Sequence, residues 1–155
     1  CRWPTVPACD NFDWPVLAPQ WNLLRTPRDE FWSLSERPGY LRLRLRPERL
    51  SEHASPSFVG RRQQHIHFAV QTALEFTPQT SHECAGLALV QNNDFHFRFV
   101  VTQGTETVIR LVKRSHGAEE IVAEQPDRAH GGARIDGRVW CAGNRNVQTG
   151  FCAEI

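Results

Sequence analysis

Apolar and polar residues alternate one for one along three separate runs of this chain, a period that would scatter apolar groups around every side of a helix. Only an extended strand collects such residues on a single face. Gly39-Tyr40-Leu41-Arg42-Leu43-Arg44-Leu45-Arg46 sets leucine against arginine. Between 65 and 76, Ile66, Phe68, Val70, Leu74 and Phe76 fall on even positions, and His65, His67, Gln71 and Glu75 on odd ones. From Asp94 to Thr102, Phe95, Phe97, Phe99 and Val101 share one face, with His96 and Arg98 on the other. Cys84 to Val90 and Glu106 to Val112 read as more buried strands, Glu119 to Ala123 as a short one and Arg134 to Trp140 as a late one. Arg37-Pro38-Gly39, Thr77-Pro78, Gln91-Asn92-Asn93-Asp94, Gln103-Gly104 and His116-Gly117 are turn chemistry between them. The helical signal is confined to a turn near Glu48 to His53. The pattern predicts an all-β domain, a sandwich or jelly roll, over residues 21–155, after an irregular leader over 1–20 that holds four of the ten prolines.

Composition narrows the partners. At 155 residues the chain is long enough for one core, and 40% hydrophobic against 23% charged residues argues against disorder. A net charge of +1 supplies no electrostatic reason for nucleic acid or an anionic membrane. No stretch approaches the roughly 20 consecutive apolar residues of a membrane helix. The chain starts at Cys1 and contains no methionine, so it reads as a processed product or a piece of a longer protein. Lys113 is the only lysine among 18 basic residues, which codon bias explains more economically than recognition does. The five cysteines form no C-x-x-C pair, and Trp3-Pro4-Thr5-Val6-Pro7 has no signal-peptide character. Reduced thiols are the default, a Cys141–Cys152 bridge the alternative, and the compartment is open with a lean toward the cytoplasm.

Catalytic patterns are scarce. His65-Ile66-His67 would point two imidazoles to one face of a strand, downstream of Gly60, like the start of a cupin metal motif with His96 or His116 as a third ligand. The glutamate such a motif needs about four residues on is absent; Val70, Gln71 and Thr72 stand there, and Glu75 comes too late. Histidines on a hydrated strand surface are the simpler reading. No Glu-x-Asp-x-Glu strand triplet occurs, and the adjacent Glu119 and Glu120 would face opposite sides, unlike the paired carboxylates of glycoside hydrolysis. There is no Gly-x-Ser-x-Gly elbow or phosphate loop, and Cys84 reads as a small core residue.

What remains is a surface suited to a neutral polar ligand. Arg61, Arg62, Gln63 and His65 cluster donors beside a strand, Trp32 and Tyr40 offer aromatic faces, and Gln91 and Asn92 offer amides at a turn. Aromatic faces stack on sugar rings while arginine and amide groups satisfy hydroxyls. Packing is the competing role for each aromatic, and an interface with another domain is the competing role for the Arg-Arg-Gln run. A metal-dependent jelly-roll enzyme using His65, His67 and His96, and a general lectin-like module, are the alternatives.

Three ordered segments sharpen this. Trp21-Asn22-Leu23-Leu24-Arg25-Thr26-Pro27, then Phe31-Trp32-Ser33-Leu34-Ser35-Glu36-Arg37-Pro38-Gly39-Tyr40-Leu41-Arg42-Leu43, then Ser55-Pro56-Ser57-Phe58-Val59-Gly60-Arg61-Arg62-Gln63-Gln64-His65 appear in sequence. With Ala85-Gly86-Leu87-Ala88-Leu89-Val90-Gln91-Asn92 and Phe95-His96-Phe97-Arg98-Phe99, this set resembles the C-terminal accessory module of family 43 glycoside hydrolases of the β-xylosidase type. The resemblance implies a concanavalin A-like β-sandwich that follows a five-bladed β-propeller carrying the catalytic carboxylates. It implies a chain that is not an enzyme on its own, with that propeller and xylan or xylo-oligosaccharides as partners. It implies no cofactor beyond a structural calcium on the last strand of an intact module. Arg61, Arg62 and Gln63 match a motif of the module. Trp14 stands where the family pattern favours glycine, and Cys141 to Ile155 does not follow the family's closing strands. A sandwich cut short there would leave an unpaired edge and a tendency to associate.

Overall fold

The computed structural model describes residues 9–65, 67–127, 133–140 and 148–154, so Ile66, Cys1 and Cys141 lie outside the described residues. Among the described residues eleven strands follow one another: β1 (Asn22–Leu23), β2 (Trp32–Ser33), β3 (Arg42–Leu43), β4 (Ser57–Arg62), β5 (His67–Leu74), β6 (Cys84–Val90), β7 (His96–Gln103), β8 (Thr107–Ser115), β9 (Ala118–Pro126), β10 (Ala133–Trp140) and β11 (Gln148–Glu154). No helix occurs among the described residues, and the Glu48–His53 signal is a turn closed by Glu52 N–H donating to Arg49 C=O at 3.0 Å. A seven-stranded antiparallel sheet runs β1-β4-β11-β6-β7-β8-β9; β5 pairs with β10, and β2 with β3.

Turn chemistry sets the hairpins. His116 and Gly117 both have positive φ, 53° and 80°, the mirror-image turn whose twist suits two adjacent strands, and it joins Ser115 to Ala118 directly. Pro38 and Gly39 (φ 80°) close a turn in which Tyr40 N–H donates to Arg37 C=O. Asn92 Oδ1 accepts the amides of Asp94 and Phe95, both at 2.9 Å, and so shapes the β6–β7 connection.

Two cores lie on the two faces of the large sheet. One face meets β5: Leu87 and Val101 pack with Val70, Leu74, Phe76, Phe99, Ile109 and Phe151. The other carries Phe58, Cys84, Ala88, Val90, Val100 and Cys152, and is covered in part by the segment 47–56, which inserts Leu50. Burying a leucine or phenylalanine side chain contributes about 1.5–3 kcal/mol, so this covering segment is held by more than its hydrogen bonds.

Several expectations change here. Residues 40–45 alternate as foreseen, with Arg42 and Arg44 exposed and Leu43 and Leu45 half-buried, but Arg46 departs from the pattern with its side chain 19% exposed, and only Arg42–Leu43 forms a ladder, with Trp32–Ser33. Strand β4 had no strand reading. Nor had β11, and its residues are not a loose end: Gln148–Ala153 pair with β4 and Gln148–Glu154 with β6, in the middle of the sheet. One edge of the sheet is the two-residue β1 and the other is β9, whose Glu119, Glu120 and Glu124 are the charges that discourage edge pairing. The described part of the leader, 9–20, is tied down: Trp21 Nε1 donates to Asp10 Oδ2 at 2.6 Å, and the Phe12 ring packs 5.5 Å from Trp21 and 6.0 Å from Phe151. Phe12 holds φ at 55°, a cost for a bulky residue that this aromatic contact and the Asp10 cap on its amide offset.

Candidate functional site

The foreseen binding residues separate to opposite ends of the sheet. Arg62, at the end of β4, stands level with Val90 at the end of β6, both opposite Gln148 of β11. Gln63, His65, Gln91 and Asn92 follow in the adjoining turns, so these five share one end. Arg61 and Arg62, as neighbours on a strand, point to opposite faces and cannot serve one ligand together. Gln63 Nε2 donates to His65 C=O at 2.7 Å, and Asn92 already caps its own turn. Trp32 and Tyr40 belong to the other end. The Trp32 ring packs edge-on against Phe31 at 5.1 Å, and the Arg37 guanidinium sits 3.8 Å over the Tyr40 ring. Arg37 in turn pairs with Glu75, at the far end of β5 from His67, and that bond holds the Glu75 carboxyl below its usual range. One face of Tyr40 is therefore occupied by the chain itself.

The three histidines of the metal alternative do not converge. His65 sits in the turn after β4, His67 starts β5 in the small sheet, and His96 starts β7, three strands from β4. His96 is 3% exposed; burial pushes its imidazole down, opposed by its bond to Asn92 C=O. Among the described residues no cluster of three or more His, Cys, Asp or Glu side chains is placed to hold a metal ion. Cys9, Cys84 and Cys152 are free thiols among the described residues, and the alternative Cys141–Cys152 bridge involves Cys141, which lies outside them. Burial pushes Cys84 up to about 11, and Glu154 beside it adds to the rise, as expected of a core residue rather than a nucleophile.

The structure assembles a different feature. A groove of about 390 Å³ lies on the face of the large sheet turned away from β5. Its floor is Cys84, Arg98, Val100, Thr102, Arg110 and Val112 of β6, β7 and β8; Arg49, the turn at Ser81 and His82, and Glu119 to Ile121 of β9 form its walls. The floor residues share a face because the register sets Cys84 opposite Thr102, Val100 opposite Arg110 and Arg98 opposite Val112.

Most of the charge in the groove is paired. Arg98 donates to Glu154 at 2.6 Å and to Glu119 at 2.7 Å, with the Arg98 side chain 12% and the Glu154 side chain 3% exposed. Burial alone would lower the guanidinium's pKa, but Glu154 and Glu119 outweigh it and keep Arg98 firmly charged. Glu154 Oε1 also accepts Leu50 N–H at 2.9 Å, which ties the covering segment to the sheet. Arg110 pairs with Glu124, and Arg114 reaches Glu119 at 3.6 Å. None of these pairings is visible locally in sequence: Arg98 and Glu154 are 56 residues apart. Only the opposed facing of Arg98 and Phe97 was foreseeable.

The comparisons with known proteins agree with one another. Residues 9–136 match the family described as the β-xylosidase C-terminal concanavalin A-like domain. The chain is 31% identical over 113 residues to a non-reducing end α-L-arabinofuranosidase of Bacteroides ovatus, covering 73% of this chain and 21% of that protein. It is 41% identical over 113 residues to a xylan 1,3-β-xylosidase of a Vibrio species, covering 71% and 21%. The crystal structure of a xylan β-1,4-xylosidase from Bacillus halodurans superposes with a TM-score of 0.88 at 26% identity, covering 98% of this chain and 36% of that one. The chain thus spans about a fifth of the length of these curated relatives. It belongs to the family of β-xylosidase C-terminal concanavalin A-like domains of family 43.

Proposed function

We propose that this domain serves a xylan-degrading family 43 glycosidase by bracing its catalytic β-propeller and by holding xylose-based carbohydrate. The observation that carries the reading is the match itself: it is confined to the C-terminal domain of relatives named as xylosidases and arabinofuranosidases. Glu119, Glu124 and Glu154 on this side of the sheet are committed to arginines, an arrangement that suits holding a ligand rather than cleaving a glycosidic bond. The candidate contacts Arg61, Arg62, Gln63, His65, Gln91 and Asn92 lie at one end, where they suit the propeller interface.

Two measurements test the two halves. Titration of the folded chain with xylohexaose, against a cello-oligosaccharide control, should give selective heat; equal binding of both would make it a general lectin-like module instead. Adding the chain in trans to the separately expressed catalytic domain of a family 43 relative should raise that domain's thermal stability and its turnover of an aryl xyloside. No change in either overturns the bracing role, and release of xylose by this chain alone overturns the non-catalytic one.

A further inference from the structure

We propose that the groove on the open face of the large sheet is the carbohydrate site, and that it takes a short neutral oligosaccharide while excluding anionic ones. The proposal rests on the carbohydrate-holding reading above and adds its location and its charge preference.

Size and shape come first. A groove of about 390 Å³ is within the roughly 300–1,000 Å³ of small-ligand sites. It lies on a sheet face that β5 and β10 leave open, between the covering segment 47–56 and strand β9.

Charge decides the class of ligand. The floor arginines already have their counter-ions: Arg98 holds Glu154 and Glu119, and Arg110 holds Glu124. Among the lining residues Arg49, Arg98 and Arg110 balance Glu119, Glu120 and Glu154, so an entering carboxylate or phosphate meets no net attraction and would have to displace a buried partner to reach Arg98. Displacing it strands a charge in a dry site, which is strongly unfavourable. A hydroxyl needs no such exchange. It donates to a lone pair that the ion pair leaves open on a carboxylate and accepts an N–H from a guanidinium, so a polyol can read an array of alternating donors and acceptors without unpairing it.

The apolar surface the groove offers to the C–H face of a sugar ring is Ile121, 56% exposed on the β9 rim, while Val100 and Val112 beneath the floor are buried. Arg49 stands on the facing wall, exposed. Ile121 and Arg49 can be changed without disturbing the core.

The test uses the whole 155-residue chain. Xylohexaose and a uronic-acid oligosaccharide are titrated into the parent, into Arg49→Ala/Ile121→Ser and into Arg62→Ala/Gln91→Ala, each checked for an unchanged melting temperature. The expected result is binding of xylohexaose alone, weakened about tenfold in the groove variant and unchanged in the sheet-end variant. If the groove variant binds like the parent while the sheet-end variant does not, the location is overturned and the carbohydrate reading survives. Tighter binding of the uronic-acid oligosaccharide overturns the charge argument. A parent chain that binds neither sugar overturns the carbohydrate reading and this proposal with it.

Discussion

Removing the charge of Glu154 while keeping its shape is the sharpest test of the ion-pair network. The Glu154 side chain is 3% exposed and Arg98 12%, with 2.6 Å between their charged atoms. Breaking a buried pair by removing one partner costs about 3–5 kcal/mol, because the remaining charge is left dry. Glu154→Gln keeps the acceptor for Leu50 N–H, and Arg98 keeps Glu119, so the low end, about 3 kcal/mol, is expected. At roughly 2–4 °C per kcal/mol for a chain of this size, the melting temperature should fall by about 6–12 °C. Thermal and urea unfolding followed by tryptophan fluorescence reads the change. Glu119→Gln, at a 37% exposed position, should cost no more than about 1 kcal/mol. The double variant Arg98→Met/Glu154→Leu should recover most of the loss, because it leaves no stranded charge. Equal costs at Glu154 and Glu119, or a Glu154→Gln protein within about 0.5 kcal/mol of the parent, would refute the claim that the pair is buried and mutually dependent.

Three further outcomes are expected. A Cβ at Gly150 would lie 2.4 Å from Gly60 Cα and from Val59 C=O, both backbone, so Gly150→Ala should destabilise by about 2 kcal/mol or more. Gly104→Ala, whose nearest contact is 3.4 Å, should change unfolding little and serves as the control. His96 is held below its ordinary value by burial first and by Arg98, against the opposing pull of Asn92 C=O, Glu119 and Glu154. The unfolded chain therefore binds more protons as pH falls through about 6.5, stability should drop there by up to about 1.4 kcal/mol per pH unit, and His96→Gln should flatten that slope in pH-dependent urea melts. In a background with Cys1 and Cys141 changed to serine, a thiol reagent at pH 8 should label Cys9 at once, and Cys84 and Cys152 only after denaturant is added, since burial raises both buried thiols.

Legibility of the fold followed the range of the interactions. The period-two run at 94–102 announced β7, and the more buried runs at 84–90 and 106–112 announced β6 and β8, because the apolar pattern of a strand is local. His116-Gly117 announced its hairpin because positive φ is a property of two residues and their twist. The short β4 and the terminal β11 were not announced: β4 runs Ser-Phe-Val-Gly-Arg-Arg and β11 Gln-Thr-Gly-Phe-Cys-Ala-Glu, neither with clean alternation, and each is extended because neighbours on both sides supply its hydrogen bonds. For the candidate site, residue types did not reveal the surroundings: Arg37 packs over one face of Tyr40 and Phe31 lies edge-on to Trp32, contacts that no local pattern announces.

By itself, the sequence determined which residues share a face, where the chain turns, and through its ordered segments the family to which it belongs. Only the tertiary structure decided which faces water reaches. Phe97, on the apolar side of its strand, is 42% exposed, while His96 and Arg98 on the polar side are nearly buried. Alternation along a strand is fixed by backbone geometry within a few residues. Burial depends on what lies across the sheet, and here that is the segment 47–56 and a carboxylate from the far end of the chain.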